Sequence, residues 1–204
     1  GATVAGATAE ITGDVQASIG KGARITTLTG TTAVRADSTS TALATAEGGA
    51  GGLVGVSVFN AIANVGTAGN TAATTAFIDE GSVITTRGLS VEASGGGSAI
   101  GTMSTIGVGL VGISAGRAES NLASDVVAYV GPRGAATLPP DQRTTVNATG
   151  NVSIDASSSQ FAQADAYGGG GGGAGIAAVL AKPSVIGATE AFVGHQVNVA
   201  SANN

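Results

Sequence analysis

"GGGGGGAGIAAVL", residues 168–180, sets six consecutive glycines directly against an apolar run. An oligoglycine tract in isolation behaves as a flexible tether, whereas an apolar run marks a buried element, so the fold depends on which of the two governs here. Two other stretches share this build: "EGGAGGLVGVSVFNAIAN" at 47–64 and "STIGVGLVGISAGRAESN" at 104–121. In them small residues alternate with aliphatic ones. Gly55 and Ser57 fall between Val54, Val56 and Val58, and Gly107 and Gly109 beside Ile106 and Val108. In an extended chain this alternation collects the small residues on one face, and such a face lets another backbone approach closely. The tract therefore reads as strand.

Outward from the glycine tracts, the chain repeats itself. "ASIGKGARITT" from Ala17, "AFIDEGSVITT" from Ala76, "AYVGPRGAATL" from Ala128 and "AFVGHQVNVAS" from Ala191 align, at separations of 59, 52 and 63 residues. A second column follows in "TAVRAD" at Thr32, "LSVEAS" at Leu89 and "VSIDAS" at Val152. There Val34, Val91 and Ile154 lie on one face with Ala36, Ala93 and Ala156, and Arg35, Glu92 and Asp155 on the other, the pattern of a half-buried strand. A period of 50 to 60 residues with short strands and polar punctuation predicts stacked repeats. The expected units are 17–75, 76–127, 128–190 and a partial unit 191–204, together one repeat domain over 1–204. Each unit is either one wide coil or two to three coils of about 20 residues. Pro139 and Pro140 are excluded from a central strand, so 134–151 in the third unit is expected to be an inserted surface loop.

Composition agrees with an all-β chain. The 204 residues include 35 glycines, with 3 % aromatic and 10 % charged residues, so a core built from them is thin. The net charge is -5 and the charges are scattered, which leaves no basic stripe for nucleic acid or anionic lipid. There is no cysteine, hence no disulfide framework and no thiolate metal site. The chain begins at Gly1 and ends in "SANN", and is expected to be a piece of something longer.

Several motifs compete with this reading. "GVGLVG", Gly107–Gly112, fits a dinucleotide-binding fingerprint, with Asp125 downstream. That chemistry needs a helix whose N-terminus meets the pyrophosphate, and "ISAGRAESN" lacks the period of one. "GISAG" at 112–116 fits a nucleophile elbow with Ser114, an Asp and His195 in hydrolase order, yet the alternating strands and helices of that fold are absent. His195 follows "AFVG" where other units carry Lys21, Glu80 or Arg133, which marks a turn. Asp79 and Glu80 are the sole acidic neighbours and the calcium nonapeptide is missing, which leaves at most an isolated cation at a turn. Uncharged stretches at 48–78 and 93–116 are long enough to span a bilayer, but Asn60, Asn64 and Asn70 interrupt the first and Ser and Thr dilute the second. Asn147 and Asn151 match glycosylation acceptors. Thr pairs at 26–27, 85–86 and 144–145 raise an ice-binding alternative, without the regular files such a face needs. No residue is assigned a catalytic, cofactor-binding or metal-ligating role, and the chain is expected not to be an enzyme.

The order of these columns, an aromatic "AFI" or "AYV", a glycine turn, a V-x-A strand and a glycine-rich alternating run, resembles the repeat region of giant bacterial surface adhesins of the leukotoxin-like and filamentous haemagglutinin type. The resemblance implies an elongated β-solenoid (β-helix) and a structural stalk or fibre segment on the bacterial cell surface or in the extracellular space. Its expected partners are neighbouring repeats or copies of itself in a filament, with no cofactor, no nucleic acid and no membrane span. The alternative is a binding module in which the inserted loop or a Thr-rich face takes a glycan, a host protein or ice.

Overall fold

The computed structural model describes residues 1–134 and 139–201. The alternating residues form nine strands: β1 Ala2–Ile11, β2 Val15–Ile19, β3 Arg24–Val65, β4 Ala72–Ile78, β5 Val83–Val130, β6 Thr145–Ala148, β7 Val152–Ile186, β8 Thr189–Val193 and β9 Asn198–Ser201. Among the described residues the one helical element is a 3-10 turn at Pro140–Gln142, so the chain is all-β. Every pairing between these strands is parallel. β3 and β5 run for 42 and 48 residues, far beyond the ~10 of an ordinary strand. Each is a ribbon that bends while keeping its neighbours in register, apart from a shift in the β3–β5 pairing between Thr27 and Thr31.

The register fixes the size of the repeat. Ala17 lies opposite Ala76, Ala76 opposite Ala128, and Ala128 opposite Ala191. Each repeat is thus one wide coil, and the short-coil option is excluded. Val34, Val91 and Ile154 likewise form one column. Coils are numbered here by these columns: coil 1 carries Val34, coil 2 Val91 and coil 3 Ile154.

Within a coil the long ribbon runs out and folds back on itself, making an arch of two facing layers. Gly97 in the outgoing half of β5 meets Leu122 in the returning half, Gly101 meets Glu119 and Ser120, and Gly107 meets Ile113. The space between the layers narrows towards the tip, and side-chain size follows it. At the base Val34, Ile78, Ile84, Val91, Val126, Val130 and Val146 form one buried cluster. Further out the filling is mostly alanine, Ala42, Ala44, Ala61 and Ala118 among them, with Phe59, Met103 and Leu122 as the large members. At the tip the inward positions hold glycine or alanine, with buried Ala50 of coil 1 in register with Gly107 of coil 2. Burying a Val, Ile or Leu contributes about 1.5–3 kcal/mol, so the base supplies more of the stability per residue than the tip.

The expected loop at 134–151 is a loop only in part. Thr145–Ala148 is β6, paired with Val83–Thr86 on one side and β9 on the other, and Val146 is fully buried. Once past Pro139 and Pro140, "TVNA" regains the alternation that the base of the arch requires. Positions 135–138 of the expected insertion, and 202–204 of the partial unit, lie outside the described residues.

Candidate functional site: the glycine arch and the stacked columns

The tip of the arch shows why the glycines are there. A β-carbon on Gly107 would sit 2.6 Å from the Ile113 carbonyl oxygen, and one on Gly170 would sit 2.7 Å from the Ile176 nitrogen. The facing backbones nest, and any side chain would separate them. Hydroxyl groups also bridge the layers: just below the tip Thr105 donates to Ser57 Oγ at 2.7 Å, and near the base Ser38 and Thr74 share a hydrogen bond.

Along the stack, equivalent positions bond from coil to coil. The rings of Phe77, Tyr129 and Phe192 lie parallel with centroids 4.9 and 5.3 Å apart, a direct reading of the rung spacing. Burial raises the Tyr129 phenol above its ordinary pKa, with the Arg133 guanidinium 5.6 Å from the ring centroid opposing the shift. Asn121 donates to Asn64 Oδ1 at 3.0 Å. Asp14 accepts the Ala73 N–H at 2.9 Å, and Asp125 accepts the Ala188 N–H at 2.8 Å; both carboxylates hold the entry to the short strand of the next coil. Ser82 donates to the Gly20 carbonyl and Thr144 to that of Asp79, both at 3.1 Å, and so clasp the turn one coil back. Lys21 pairs with Glu80 of the next coil, and that hydrogen bond holds the ammonium above its usual pKa. Arg35 bonds Asp37 at 2.6 Å and faces Glu92 at 3.6 Å, and the Asp37 hydrogen bond raises its pKa.

The motif residues fall into this scheme. Gly107–Gly112 is strand throughout, inside β5, and no helix follows it. Ser114 is fully buried between the layers, its hydroxyl without a hydrogen-bond partner. Asp125 is committed to Ala188 and to the Thr71 hydroxyl at 2.9 Å. His195 is exposed in the turn after β8, in the place held by Lys21 and Glu80 in earlier coils. Several tens of ångströms of extended ribbon separate Ser114 from that turn, so the structure does not bring the hydrolase set together. Asp79 Oδ1 accepts the Glu80 backbone N–H. Asn147 is exposed in β6 and Asn151 in the turn before β7. The stretches at 48–78 and 93–116 lie mostly in strands, and among the described residues no helix is long and apolar enough to cross a membrane. An open groove of about 550 Å³ follows one corner of the coils past Thr31, Arg87, Gly88, Asn151 and Ser153.

Sequence reasoning did not single out the apolar residues of the outer surface near the tip. With glycine taking the inward positions, Ile106 and Val108 are turned to solvent, each about half exposed. The period-2 pattern carried this information, since the inward face had already been assigned to the small residues.

No family model, curated protein or solved structure matches the chain.

Proposed function

We propose that the chain is a structural repeat segment, a stalk, of a bacterial cell-surface or extracellular filamentous adhesin. One observation carries the reading: successive coils repeat the same columns in parallel register, from Ala17 through Ala76 and Ala128 to Ala191. Each coil satisfies the backbone groups of the next, so length grows by repetition at about 4.8 Å per rung. The polar side chains support the same reading, because Asp14, Asp125, Ser82, Thr144 and Lys21 all bond between coils. Among the described residues β7, β8 and β9 each have a paired strand on one side only, and those edges are where a following coil or another copy of the chain would add.

Electron microscopy of the chain beside a tandem duplicate tests this. A stalk grows along the stack alone: the four rungs of one chain become about eight at ~4.8 Å each, so the duplicate is about twice as long in that direction while the width across the arch stays constant. Two compact lobes joined by a tether, or a particle that widens instead of lengthening, would overturn it.

A further inference from the structure

The three coils do not round the corner before their half-buried strand with the same number of residues. Thr27 and Thr31 of coil 1 lie opposite Thr86 and Gly88 of coil 2, so Leu28, Thr29 and Gly30 stand against Arg87 alone. Ala148 and Val152 of coil 3 lie opposite Thr86 and Leu89, so Thr149, Gly150 and Asn151 stand against Arg87 and Gly88. The surplus residues bulge outward on both sides, because the inside of the corner is filled. Thr86 is buried there; its hydroxyl accepts the Thr32 N–H at 3.2 Å and lies 3.0 and 2.8 Å from the Gly30 and Gly88 carbonyl oxygens.

The tight corner of coil 2 is thereby the floor of a recess between two bulges. Its volume is about 550 Å³, within the roughly 300–1,000 Å³ of small-molecule sites. Thr29 and Thr31 belong to one wall, Asn151 and Ser153 to the other, and Arg87 and Ser90 to the floor. The wall of coil 3 is held against the floor: the Leu89 N–H donates to the Asn151 carbonyl at 3.0 Å, and a β-carbon on Gly150 would sit 2.8 Å from the Arg87 carbonyl oxygen. A ligand therefore meets a preformed surface and does not have to order one.

The chemistry of the recess selects the ligand. Arg87 is exposed, and among the described residues no acidic side chain pairs with it, unlike Arg35, Arg117 and Arg133. Its planar guanidinium carries donors only and grips a carboxylate or phosphate with two parallel bonds. The Ser90 hydroxyl donates to Glu92 at 2.6 Å, and the Ser153 hydroxyl donates to Asp155. Both serines are left with lone pairs, which accept from the hydroxyl groups of a ligand, and the Asn151 carboxamide both donates and accepts. Glu92 and Asp155 stand just beyond the serines. Arg35 at 3.6 Å offsets Glu92 in part, whereas Asp155 has no basic partner among the described residues, so a second negative charge on the ligand is repelled. We infer that the recess binds a singly charged, hydroxylated carboxylate, the class of the sugar acids, with its carboxylate on Arg87 and its hydroxyls on Ser90, Ser153 and Asn151. This site does not rest on the stalk reading.

Isothermal titration calorimetry of the 204-residue chain with the methyl glycoside of glucuronate tests it, with circular dichroism confirming strand content in each variant. The comparison ligands are methyl glucoside, which lacks the carboxylate, acetate, which lacks the hydroxyls, and inorganic phosphate. The glucuronate glycoside should bind at least about tenfold more tightly than any of the three. Arg87→Gln should weaken it by about tenfold. Asn151→Asp, an exposed change that sets a negative charge in the wall, should weaken it by a similar factor. Arg24→Gln, which removes an exposed cation outside the recess, should leave it unchanged. Absence of binding in the millimolar range would overturn the proposal, as would methyl glucoside binding equally well. Acetate or phosphate binding as tightly as the glycoside, or an equal loss in Arg24→Gln, would show attraction of charge alone and overturn it too.

Discussion

A β-carbon on Gly107 would meet the Ile113 carbonyl oxygen at 2.6 Å and the Ile113 nitrogen at 2.8 Å, both backbone atoms of the facing layer. Backbone cannot swing aside as a flexible side chain can, so the layers must part. Gly107→Val is therefore expected to destabilise the fold by about 1–3 kcal/mol, read as a lower urea midpoint. Gly13→Ala, with nothing within 4 Å of the new carbon, should stay within about 0.5 kcal/mol of the parent. The role of these glycines was legible in the sequence because the inward positions near the tip are consistently small. The exposure of their large neighbours ran against habit. Hydrophobicity by itself would put Ile106 inside, but the layer spacing at the tip is set by backbone contact and leaves it no room there.

At the scale of the element, the column separations marked the coils because each column combines an aromatic or aliphatic position with a turn glycine. Phe77, Tyr129 and Phe192 could be aligned by eye, and the structure stacks them ring on ring. The reversal of the ribbon at the arch tip left no comparable mark. The alternation of Gly with Val, Ile or Leu continues through "GVGLVG" with no Pro, Asn or Asp to announce a turn; the turn is made at the Gly52, Gly109 and Gly172 column, where Gly52 and Gly172 have φ of 135° and 125°, and these glycines look like any others in a glycine-rich run. β6 was missed for the opposite reason. Its four residues sit between a proline pair and "TGN", and the turn signals on both sides outweighed an alternation too short to stand alone. Its place in the base cluster makes a direct prediction. Val146→Ala, at a fully buried site, should cost about 1–3 kcal/mol, whereas Asn147→Ala on the exposed side should change the denaturation midpoint little.

At the scale of the molecule, everything depends on register held over long separations in sequence. Ser104 in β5 lies beside Tyr167 in β7, 63 residues later, and both flank the glycine zone with side chains outward. The chain has no cysteine of its own, so an engineered pair reports without background. Neighbouring in-register strands bring α-carbons within the span a disulfide accepts. The most direct measurement is the rate of disulfide formation in Ser104→Cys with Tyr167→Cys, compared with Ser104→Cys with Gly169→Cys, which is displaced by two residues. Fast, nearly complete oxidation of the first pair and slow, partial oxidation of the second is the predicted result. Equal rates, or a faster displaced pair, would show that the oligoglycine ribbon is a mobile tether and would contradict the stacked arch.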